Sequence, residues 1–259
     1  MHEARLYFSR NPNLGIDTPL NSTTANEVGR ILTADAFEVW NKGVLTFLDA
    51  INSACSSSYG WAVVKCYYAT LYLLIAEFCL EEMCICHTPR DAKRKKYGYG
   101  IIKARPGEVF SPLKTSNGAS SHGAPVELSK THLPTTVLRT QSINGDDAIE
   151  WLKSARESVN YRHPLLNIDD HQSLFTFLAK KEDLWPTLDL LMDKANEHYC
   201  FLDKYACFGV PTWMMVNLAC RLSRLDKTQF SDALNEASRV GSPYRNWSKF
   251  KAQLNAAIS

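Results

Sequence analysis

One segment constrains the fold more than any other: Ala62-Val63-Val64-Lys65-Cys66-Tyr67-Tyr68-Ala69-Thr70-Leu71-Tyr72-Leu73-Leu74-Ile75-Ala76-Glu77-Phe78-Cys79-Leu80. Its length approaches that of a bilayer span, about 20 residues. Lys65 and Glu77 interrupt it, however, and Tyr67, Tyr68 and Tyr72 lie within it. Charges inside a span are costly, so the segment reads as a buried helix and the chain is not expected to be a membrane protein. A helix that is apolar on nearly all sides must be enclosed by others. The expected fold is therefore mainly all-α: a helical bundle with this helix, from about Trp61 to about Glu82, near its centre.

The rest of the chain supplies the enclosing helices. Phe37, Trp40, Val44, Phe47, Leu48 and Ile51 recur at three and four residues, predicting a helix from Thr33 or Asp35 towards Ser53. The cluster Ser56-Ser57-Ser58-Tyr59-Gly60 breaks it. Residues 1–30, rich in Asn, Pro, Thr and Gly, read as an irregular arm, leaving residues 31–259 as a single helical domain. Within it, Pro89, Pro106, Pro112, Pro125 and Pro134 with Gly98, Gly100, Gly107, Gly118 and Gly123 mark a long, mostly non-helical insertion at about 83–143. Short strands are expected there around Gly100–Lys103. Helical pattern resumes at Asn144-Gly145-Asp146-Asp147, whose carboxylates suit a helix N-terminus. That helix should run through Trp151 to about His163, before Pro164. Another starts near Asp169 or Asp170. Extra C-terminal helices follow at about 185–205, 212–225, 228–239 and 244–257, with Gly209 and Pro211 separating the first two.

Composition excludes more than it selects. The eight cysteines lie mostly in apolar, helix-like stretches, and Met1–Asn13 has no apolar core of signal-peptide length. Reduced thiols and a cytoplasmic location are expected. Cys84, Cys86 and His87 are soft-metal ligand types, but one residue separates the cysteines and no second pair follows at zinc spacing, so no metal is expected there. A sensing thiol stays open. No phosphate-binding glycine loop, serine elbow or zinc-protease motif is present.

The segment from Ala148 to His163 carries the most chemistry. With Ile149 at zero on a helical wheel, Leu152 falls at about 300° and Val159 at about 280°. Arg156 falls at about 340°, His163 at about 320° and Asn160 at about 20°, on the packed side. Glu150, Ser154, Glu157 and Tyr161 point elsewhere. An inward arginine and histidine need partners or a function. About 10 Å apart along the axis, with Asn160 between them, they could hold a phosphodiester, guanidinium on its oxygens and imidazole near the adjacent hydroxyl. Equally, Arg156 could pair with Glu77 or Asp170 while His163 satisfies helix C-terminal carbonyls. Asp169 or Asp170 reads as the cap of the next helix rather than as an acid or base.

Arg156, six intervening residues and His163 match the arginine–histidine pattern of the HEPN family. The stretch Ala155-Arg156-Glu157-Ser158-Val159-Asn160-Tyr161-Arg162-His163-Pro164 resembles the Arg-x-x-x-Asn-Tyr helix of several HEPN subfamilies. Upstream, Trp61-Ala62-Val63-Val64-Lys65-Cys66-Tyr67-Tyr68-Ala69-Thr70-Leu71-Tyr72 is similar to their tyrosine-rich YYA helix. The resemblance covers roughly residues 35–82 and 144–205. It implies a HEPN-like bundle and a metal-independent endoribonuclease, without cofactor, that works as a homodimer. Toxins and antiviral-defence effectors are its common settings, with an antitoxin or other protein as partner. It also implies roles: His163 as general base or acid, Arg156 on the phosphate, Asn160 orienting either, and Tyr161 stacking a base, with Arg162 beside it as an RNA contact. The alternative within the family is a catalytically inactive scaffold that binds RNA, nucleotide or a partner protein.

Although the net charge is only +2, residues 88–139 carry a local excess of seven positive charges. Arg94, Lys95 and Lys96 run directly into Tyr97, a pattern that suits phosphate contact and base stacking. A solvated or partner-docking loop fits the same residues.

Overall fold

The computed structural model describes residues 3–11, 14, 18–88, 98–113, 122–133, 137–159, 174–175, 184–241 and 247–258. The fold is mainly α-helical. Its helices are α1 (Glu3–Arg10), α2 (Ser22–Cys55), α3 (Tyr59–Leu80), α4 (Gly123–His132), α5 (Ala148–Glu157), α6 (Leu184–Met192), α7 (Asp203–Leu225), α8 (Lys227–Gly241) and α9 (Trp247–Ile258). Short strands are β1 (Met83–Thr88), β2 (Gly98–Lys103), β3 (Ser111–Pro112), β4 (Ser142–Ile143) and β5 (Asp146–Asp147). The chain divides into two compact units, the first made of residues 1–39 and 74–134, the second of residues 40–73 and 135–259.

In the first unit the N-terminal segment is not an irregular arm. Residues 3–10 are α1, and α2 begins at Ser22, about a dozen residues before the expected start. The local cause is Asn21, whose side-chain oxygen accepts the Thr24 amide at 2.9 Å, a helix N-cap. Asp35, read from the sequence as a helix start, sits in mid-helix and is 1% exposed. Its carboxylate accepts the amides of Glu3 at 2.9 Å and Ala4 at 2.8 Å, so it caps α1, about thirty residues away in sequence.

The insertion holds strands at the expected place and more besides. β1, β2 and β3 form an antiparallel sheet in that order, with Met83 opposite Lys103 and Ile101 opposite Ser111. α1 packs on β1 and α4 on β2. The ten-residue α4 tolerates Pro125 because it falls in the first turn, where its missing amide would have no partner. The charge excess is partly neutralised: Arg105 reaches Glu82 at 3.3 Å and Lys130 reaches Glu127 at 2.9 Å. Arg94, Lys95, Lys96 and Tyr97 lie outside the described residues.

The second unit is a helical assembly with an aromatic core. Phe47 meets Phe208 at 5.4 Å and Phe250 at 6.1 Å between ring centroids, and Phe208 meets Phe175 at 5.4 Å. Trp40 stacks at a tilt on Phe230 and donates its indole N–H to the Met215 carbonyl at 3.1 Å. The break between α2 and α3 falls at the serine cluster, with Ser57 in the left-handed region at φ 60°.

Gly209 and Pro211 do not separate two helices; both lie inside α7, and the boundary is at Leu202. Residues before it, Lys194–Phe201, form a 3-10 helix packed on α7. A Cβ at Gly209 would come within 3.1 Å of the Tyr199 carbonyl oxygen, so the glycine serves close packing there. α8 starts where Asp226 accepts the Gln229 amide at 2.8 Å.

All eight cysteines are free thiols, six of them buried. Burial pushes the Cys200 and Cys207 thiols up to about 12, and raises those of Cys66 and Cys79 as well. Cys84 is raised first by its hydrogen bond with Cys86 and then by burial. Among the described residues no group of three or more His, Cys, Asp or Glu side chains is arranged to hold a metal ion. α3 is the one helix among the described residues long and apolar enough to cross a membrane; 67% of its apolar window is buried within the protein.

Candidate functional site

α5 is positioned by local chemistry. β4 and β5 are joined by Asn144 and Gly145, both at positive φ (53° and 96°), the two-residue turn that Asn-Gly favours in a hairpin. Asp147 then caps α5, one carboxylate oxygen accepting the amides of Ile149 at 3.0 Å and Glu150 at 2.9 Å. Its other oxygen pairs with the Arg139 guanidinium.

The wheel drawn from the sequence holds for the apolar face: Ile149, Leu152 and Val159 are buried, together with Ala148 and Trp151. α5 packs on α7. The regular helix ends at Glu157 and continues through Ser158 and Val159 as a wider, π-helical turn, a distortion often found at functional sites. Asn160, Tyr161, Arg162 and His163 lie outside the described residues, as do Asp169 and Asp170.

Arg156 is half-buried in the last turn of α5, where a cation is favoured by the helix dipole. Its Nη2 donates to the Tyr68 hydroxyl oxygen at 3.2 Å. The guanidinium carbon lies 5.6 Å from the Tyr67 ring centroid and 5.8 Å from that of Tyr68. The two rings meet edge to face at 5.5 Å. Thus the tyrosine pair of α3 and the arginine of α5, 88 residues apart, form one cluster. The sequence shows Tyr67 and Tyr68 side by side in α3 without giving them a partner. Their hydroxyls on an otherwise apolar helix are the signal, since a buried phenol needs a polar neighbour.

Burial drives the Tyr67 phenol up to about 12; Arg156 opposes the shift, while Tyr68, Glu157 and Glu150 add to it. Glu157 and Glu150 therefore bring negative charge towards the cluster rather than pointing wholly elsewhere. Glu150 also pairs with Lys153 at 3.1 Å. Tyr67 is a neutral hydrogen-bonding group at physiological pH, not an acid or base. Because the folded state holds this proton more tightly than an unfolded tyrosine at 10.0, its stabilising contribution is complete below pH 10 and is lost as pH rises towards 12. Tyrosinate absorbance should show one phenol ionising late, and Tyr67→Phe should remove that phase; an unchanged titration would contradict the assignment.

Lys65 sits on the same helix, its Nζ 2.8 Å from both Ser53 Oγ and Asp49 Oδ2. A serine–lysine pair can be a nucleophile and base, but here the ammonium is engaged by Asp49 and Ser53 donates to the Asp49 carbonyl at 3.0 Å. The trio is structural.

The chemistry of the cluster suits an anion, because the planar fork of a guanidinium matches a phosphate or carboxylate. Comparison with protein family models, with curated proteins and with solved structures finds no match to this chain.

Proposed function

We propose that the chain is a HEPN-type endoribonuclease that cleaves RNA without a metal ion or cofactor. The observation that supports this reading is the contact of Arg156 with Tyr68 and Tyr67, because it joins the two sequence landmarks of the family in one cluster. In this mechanism Arg156 takes the phosphate oxygens and offsets the charge that develops as phosphorus is attacked. His163 removes the proton of the ribose 2′-hydroxyl or protonates the leaving oxygen, and Asn160 orients either group. The 2′ oxygen bonds to phosphorus, the bond from phosphorus to the 5′ oxygen breaks, and that oxygen takes a proton. The products are a 2′,3′-cyclic phosphate and a 5′-hydroxyl. Tyr161 and Arg162, with Arg94, Lys95, Lys96 and Tyr97, would guide the strand. A homodimer in the cytoplasm, acting as a toxin or antiviral-defence effector and restrained by an antitoxin or another protein, is the setting this reading carries.

The purified chain should cut single-stranded RNA in excess EDTA and leave cyclic phosphate ends. Intact RNA under those conditions would remove the nuclease reading. A second reading, an inactive scaffold that binds RNA, nucleotide or a partner protein, is favoured by one observation: a carboxylate, Glu157, directly follows Arg156 at the end of α5, and negative charge there opposes a bound phosphate. Binding of RNA without cleavage is its signature.

A further inference from the structure

We draw no further inference here: the strongest candidate, the cleft between α6 and α9 lined by Asp189, Met192, Asp193, Gln253, Ala256 and Ala257, is an acidic cluster in which Asp189 already accepts the Gln253 side-chain amide at 2.5 Å and Asp193 is likewise engaged, and nothing in the structure shows what would occupy it.

Discussion

Arg156→Ala is expected to lower RNA cleavage about 100- to 1000-fold, the usual loss when a donor to developing negative charge is removed. Arg156→Lys should recover little of it. Lysine keeps the charge but not the planar fork through which the guanidinium holds the Tyr68 hydroxyl at 3.2 Å. Tyr68→Phe separates positioning from charge: the ring stays and the hydrogen bond goes. A loss of about 3- to 10-fold is expected, appearing in kcat more than in KM if the hydroxyl fixes the guanidinium for the transition state. In cells the same series has a growth readout. Induced expression of the parent chain should arrest the host and Arg156→Ala should relieve the arrest. Cleavage by Arg156→Ala at the parent rate would leave the cluster a structural ion–aromatic contact, worth about 1 kcal/mol of stability. A thermal melt of each variant guards against confusing lost activity with lost fold.

The largest effect on stability is expected at Trp40. It is fully buried, its ring centroid is 5.3 Å from that of Phe230, and its indole N–H reaches the Met215 carbonyl at 3.1 Å. Trp40→Ala removes the ring and leaves a cavity in the aromatic core, a change that costs about 3–5 kcal/mol. Trp40→Phe keeps much of the volume and loses the hydrogen bond and part of the packing, for about 1–2 kcal/mol. Urea unfolding of the three forms measures both. A Trp40→Ala cost below about 1 kcal/mol would mean that this part of the core is not closed around the indole. The position also tests the helix pairing, because the bond ties α2 to α7 across 175 residues.

Much of the helical framework could be read directly. α3 lies at Tyr59–Leu80 against an expected Trp61–Glu82, and its enclosure follows from an apolar surface on all sides. α5 begins at Ala148 because Asp147 can cap it, and the buried Ile149, Leu152 and Val159 follow the helical period. Each of these signals lies within about one turn of the residues it governs.

Other features depend on partners far away in the chain. Asp35 looks like a helix start by residue type, yet its carboxylate is consumed by the amides of Glu3 and Ala4. Gly209 and Pro211 look like a break, yet packing of Lys194–Phe201 on α7 outweighs the missing amide and the flexible backbone. The proline- and glycine-rich insertion gains a three-stranded sheet because β1, β2 and β3 supply one another's hydrogen bonds, which local propensity does not register. Arg156 followed the same rule. Its place on the packed side of α5 was written in a seven-residue spacing, but the tyrosines that hold it come from a helix 88 residues earlier. The sequence by itself determined the helices whose period and caps are local. Only the tertiary structure decided which polar groups meet, because that depends on packing between helices distant in the chain.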